Sequence, residues 1–98
     1  MKNKTISQIL TTLEIEAMLR ESRLEEAYTQ LNLLLEREPN NAYAWYLLGG
    51  IYRRQQLWGD AINAYNKAKM IDPTGPAATA IEAIYEILNY RNTDMMNP

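Results

Sequence analysis

Apolar residues recur along this chain at steps of three and four, in five blocks separated by turn formers. In the first block Ile6, Ile9, Leu10, Leu13, Ala17 and Met18 predict a helix over 6–20, with Thr5 and Gln8 as a capping box at its start. Ser22 and Glu25 form a second capping box ahead of Leu24, Ala27, Tyr28, Leu31, Leu34 and Leu35. That helix ends by about residue 37, because Pro39 disfavours helical geometry at Glu38. Asn41 suits the N-cap of a third helix over 42–55, apolar on much of its circumference through Tyr43, Trp45, Tyr46, Leu47, Leu48, Ile51 and Tyr52. A fourth helix over 58–71 turns Trp58, Ala61, Ile62, Tyr65, Ala68 and Met70 or Ile71 inward, and Asp72-Pro73 stops it. Gly75-Pro76 opens a fifth over 76–90. Its residues Ala80, Ile81, Ile84, Tyr85, Ile87 and Leu88 spread over roughly 160° of an ideal wheel, wider than the usual apolar stripe of about 100°. The tail over 91–98 is polar apart from Met95 and Met96 and is expected to be mobile.

The pattern repeats. Pro39 and Pro73 are 34 residues apart, as are Leu24 and Trp58, Ala27 and Ala61, Leu31 and Tyr65, Asn32 and Asn66, and Leu34 and Ala68. The small Ala27 and Ala61 let paired helices approach closely, and Leu31 and Tyr65 fill the space beside them. The first helix of each pair repeats less well. Stepping back by the same interval from Trp45, Leu48, Gly49 and Tyr52 gives Thr11, Glu14, Ile15 and Met18. A carboxylate is costly in a buried slot. A one-residue shift, with Leu10, Leu13 and Ala17 inward, or a rotated first helix is therefore expected.

Within AYAWYLLGGIYRRQQLWGDAINAYNKAKMIDP, over 42–73, the residues Trp45, Leu48, Gly49, Tyr52, Ala61, Tyr65, Ala68 and Pro73 fall at signature spacing. In this the chain resembles the tetratricopeptide repeat family, whose unit is a helix–turn–helix of about 34 residues. The resemblance implies an all-α fold, a right-handed α-solenoid of two helix–turn–helix hairpins plus one capping helix. One domain then spans 1–90: a degenerate repeat over 6–41, a full repeat over 42–75 and a cap over 76–90. It further implies a binding scaffold whose first helices line a concave groove for a peptide or a partner helix. The groove positions are Tyr43, Tyr46, Gly50 and Arg53 on the full repeat, and Ile9, Thr12, Glu16 and Leu19 on the first. Trp45, Leu48 and Tyr52 supply helix three's buried side, which leaves Tyr43 and Tyr46 for other contacts. Tyrosine is enriched at interfaces, Gly50 leaves room for a ligand backbone, and Arg53 suits a carboxylate. The plainer reading sets Tyr43 and Tyr46 against neighbouring helices, Gly50 as relief of crowding, and Arg53 and Arg54 as helix-end charge. One subclass grips a C-terminal carboxylate. Its matching positions here are Thr12, Glu16, Leu47, Ala77 and Ile81, which lack the required cations.

Composition narrows the function further. The chain has 98 residues, no cysteine, no histidine and a net charge of −2. Disulfides, imidazole catalysis and Cys–His zinc sites are excluded, and no field is available to hold nucleic acid. No nucleophile–base pair, phosphate loop or metal spacing is present, so no catalytic, cofactor or metal site is predicted. Gly49-Gly50 sits inside a helix pattern and is no phosphate cradle. Residues 1–10 lack the apolar stretch of a signal peptide, and no run reaches the length of a membrane span. A cytoplasmic, non-enzymatic protein-binding module is expected, without nucleic acid or membrane partners. The alternative is a homodimer formed through the helix over 76–90 and the tail.

Overall fold

The computed structural model describes residues 10–96, with side chains over 10–89. Among the described residues five helices follow in order: α1 (Thr12–Arg20), α2 (Leu24–Arg37), α3 (Ala42–Arg54), α4 (Trp58–Ile71) and α5 (Ala77–Met96). No strand occurs among the described residues. Each helix packs on the next, most extensively α3 on α4, and α1 also touches α3. This is the packing of a helical repeat solenoid. No helix among the described residues is long and apolar enough to cross a membrane.

The helix starts and stops have local causes. Thr11 caps α1 in a complete capping box: its Oγ1 accepts from the Glu14 N–H at 3.3 Å, and its own N–H donates to Glu14 Oε1 at 2.9 Å. The helix therefore begins at Thr12 and not at residue 6, since Leu10 and Thr11 are outside it. Thr5, Ile6, Gln8 and Ile9 lie outside the described residues. Asn41 caps α3 as predicted, its Oδ1 accepting from the Ala44 N–H at 3.0 Å. Ser22 does not cap α2. It stands at φ 61°, the left-handed residue that closes α1, and Arg23 takes the N-cap position without a side-chain cap bond.

The interval of 34 reappears in the backbone. Gln56, at φ 62°, closes α3 as Ser22 closes α1. In both turns the following amide reaches back five residues: Arg23 N–H to the Met18 carbonyl and Leu57 N–H to the Tyr52 carbonyl, each at 2.9 Å. These are Schellman closures. The residues ending α2 and α4, Glu38 and Asp72, also match, at φ −128° and −134°. The first hairpin is thus in register with the second, and no shift is needed. Glu14 avoids burial because it lies in the first turn, held by its cap. Leu13 is 74% exposed, contrary to the shifted reading, and Ile15 and Leu19 face the core instead.

Two apolar clusters result. One joins Ile15, Leu19, Ala27, Leu31, Leu34, Leu35, Ala44, Leu47, Leu48, Ile51 and Ala64. The other joins Ala61, Tyr65 and Ala68 to Ala77, Ile81 and Ile84 of α5. Trp45, Tyr46 and Tyr52 pack against both. Trp45 also ties the α2–α3 turn to α4: its indole N–H donates to the Pro39 carbonyl at 2.9 Å, and Lys67 Nζ lies 5.3 Å from its ring. Three predicted inward residues face solvent: Met70, Ile71 and Tyr28. Met70 and Ile71 close α4 beyond the last residue covered by α5's buried face. α5 runs to Met96, so the tail expected to be mobile is helical through that residue, and Asn97 and Pro98 lie outside the described residues.

Candidate functional site

α1 and α3 are the first helices of their hairpins and pack against each other. On α3 the residues Tyr43, Tyr46, Gly50 and Arg53 follow at steps of three and four and share one face. That face opens toward α1, where Glu16 and Leu19 stand one turn apart. Together these six residues line one depression of about 310 Å3, completed by Arg20, Leu47, Arg54 and Tyr65. Thr12 is not among them; it borders a neighbouring depression with Leu10, Leu34 and Asn41. Ile9 lies outside the described residues.

Several of these side chains are fixed by an identifiable neighbour. The Tyr43 hydroxyl donates to a Glu16 carboxylate oxygen, bridging α3 to α1. This bond, with burial second, pushes the Tyr43 phenol up to about 12, because it favours the protonated form. Tyr43 stacks on Tyr46 with ring centroids 5.5 Å apart, and Tyr46 lies 5.6 Å from Tyr65. The three rings form a ladder across the groove floor. Tyr43 is half-exposed and belongs to the groove, whereas Tyr46 is held between two rings and two cores and serves both. Leu19 lines the depression but is chiefly a core residue, 8% exposed.

The two adjacent glycines have separate reasons. A Cβ on Gly49 would meet the Tyr65 ring at 2.6 Å, so Gly49 is what lets α4 close on α3. A Cβ on Gly50 would meet only the Tyr65 hydroxyl at 3.8 Å, an ordinary contact. Relief of crowding is therefore Gly49's task, and Gly50 leaves open space on the groove floor. Arg54 turns across the helix pair, its Nη1 donating to the Leu19 carbonyl of α1 at 2.9 Å. Sequence reasoning placed it as helix-end charge and missed that reach.

Tyr65 was also missed as a groove residue. Its ring fills the core as its position in the repeat predicts, but its hydroxyl end reaches the groove beneath Gly50. Burial, then the neighbouring Tyr46, raises its pKa. Nothing in the sequence distinguishes the two ends of a buried tyrosine. Only the absent side chain at Gly50 hints at the opening.

Paired antiparallel helices, stacked so that their first members line a groove, define a helical-repeat protein. Residues 42–74 match the tetratricopeptide repeat family model, and the five helices of the described residues are consistent with a small protein of that kind. Comparison with curated proteins finds no match. The family is in general one of protein-interaction modules and is typically non-enzymatic.

Proposed function

We propose that this chain is a scaffold that binds an extended peptide or a partner helix through the groove between α1 and α3. One observation carries the reading. Glu16, Leu19, Tyr43, Tyr46, Gly50 and Arg53, selected from sequence, converge on one depression. An aromatic ladder and an open glycine floor offer large contact area at small cost in side-chain ordering. In this reading 6–41 is a degenerate repeat, 42–75 a full one, and α5 a cap over the second hairpin.

Gly50→Leu is the informative variant, because its Cβ would meet only the Tyr65 hydroxyl, at 3.8 Å, and the rest of the side chain has the depression to enter. Wild type and Gly50→Leu are compared in parallel pull-downs from native extract, with cross-links mapped onto the chain. The reading expects partners that cross-link beside Tyr43 and Arg53 and are lost on Gly50→Leu. Partners retained in full by that variant would contradict it.

Self-association is the second reading, favoured by Tyr85, which stands 49% exposed on α5. Sedimentation equilibrium of wild type and Tyr85→Glu tests it. A mass that stays monomeric at millimolar concentration would remove it.

A further inference from the structure

Among the described residues, two guanidinium groups at the groove have no acceptor. α1 and α3 end side by side, with Arg20 in the last turn of one and Arg53 and Arg54 in the last turn of the other. Arg54 is committed to the Leu19 carbonyl. Arg20 and Arg53 make no hydrogen bond or ion pair among the described residues; the ion pairs there belong to Arg23. Glu16, the carboxylate lining this depression, already accepts from Tyr43. The helix dipole favours arginine at these ends, but it acts through space and leaves the N–H donors open. A chain of net charge −2 thus carries a locally cationic groove.

We propose that the groove selects an acidic peptide, with one side-chain carboxylate paired by Arg53 and a second by Arg20. This rests on the groove being the partner site. The two arginines sit on helices that touch each other, and packed helices generally have axes about 8–10 Å apart. In an extended peptide, side chains at i and i+2 point the same way and are about 7 Å apart. The matching ligand therefore carries Asp or Glu at alternate positions. Two separate cations on separate helices suit two side-chain carboxylates better than one chain terminus. An apolar residue beside them rests on Tyr46, over the gap left by Gly50.

The test uses fluorescein-labelled nonapeptide pools, amidated at the C-terminus, with Glu, Gln or Lys fixed at positions 4 and 6. Anisotropy is read with wild type, Arg53→Gln, Arg20→Gln and Gly50→Leu, each first shown by circular dichroism to melt as wild type does. The Glu pool is expected to bind about tenfold tighter than the Gln pool at low salt, with the preference shrinking at high salt. Arg53→Gln should remove most of that preference and Arg20→Gln part of it. Equal binding of Glu and Gln pools, both lost on Gly50→Leu, overturns acidic selectivity and leaves the groove reading standing. Binding that survives Gly50→Leu overturns both. Absence of binding by every pool overturns the acidic-peptide proposal.

Discussion

Gly49 lies directly against the ring of Tyr65: a Cβ there would come within 2.6 Å of two ring carbons. The ring is 3% exposed and packs against Tyr46 on another side. Gly49→Ala should therefore overpack the α3–α4 contact, costing about 1–3 kcal/mol, less up to about 1 kcal/mol from better helix propensity. Gly50→Ala, one residue on, should be neutral or stabilising by up to about 1 kcal/mol. Urea unfolding of both variants checks this. Equal effects would mean that α4 does not close on α3 at Gly49.

Ser22 and Gln56 hold left-handed backbone angles without being glycine. That conformation costs a side-chain-bearing residue roughly 1–2 kcal/mol, partly offset in a glycine variant by the freer unfolded chain. Ser22→Gly and Gln56→Gly should each stabilise by about 0.5–1 kcal/mol, and the double variant by nearly the sum. Thermal melts give the answer, and a destabilisation at both positions would deny that these turns are Schellman closures.

Arg54 couples the two hairpins through the Leu19 carbonyl. Arg54→Ala should loosen the end of α1 more than α3 or α4, at a cost of about 1–2 kcal/mol. Amide hydrogen exchange should show faster exchange at the end of α1 and in the turn after it. Unchanged exchange there would make Arg54 a solvated charge only.

Tyr43 and Tyr52 both titrate near 12, the first through Glu16 and the second through Tyr28. An unfolded tyrosine loses its proton near pH 10. Between about pH 10 and 12 the unfolded chain therefore holds fewer protons than the folded one, and stability falls as pH rises through that window. Below pH 10 their contribution is fully present. In a tyrosinate absorbance titration of the folded protein, Tyr43→Phe should remove one late-titrating group and leave those of Tyr52 and Tyr65. Loss of an early-titrating group instead would show that the Tyr43–Glu16 bond does not form.

Much of this arrangement is legible in the residues. Pro39, Pro73 and Asn41 act locally, through backbone geometry and capping, and the end of α2, the start of α3 and the end of α4 follow from them. Ambiguity entered wherever two local signals compete. Thr5–Gln8 and Thr11–Glu14 both satisfy the capping-box spacing, and the second one starts α1. Ser22 has a capping residue's chemistry but serves as a left-handed closure, in the turn that the hydrogen bond from the Arg23 N–H back to the Met18 carbonyl closes. The extent of α5 was underestimated because RNTDMM is polar; it contains neither proline nor glycine, so nothing stops the helix before Met96. The groove positions come from the resemblance to tetratricopeptide repeats, and α3's leftover tyrosines support them. Arg20, Arg54 and Tyr65 entered it only through the crossing of helices, which spacing along one helix does not encode.

Trp45, Tyr46 and Tyr52 press on both apolar clusters and belong wholly to neither. α3 is consequently a party wall: what loosens one room loosens the other. Melting should proceed as a single concerted event, with no peeling of one hairpin from its neighbour. A fragment ending at residue 57 would keep the wall but leave its far side bare, and would have no folded form of its own.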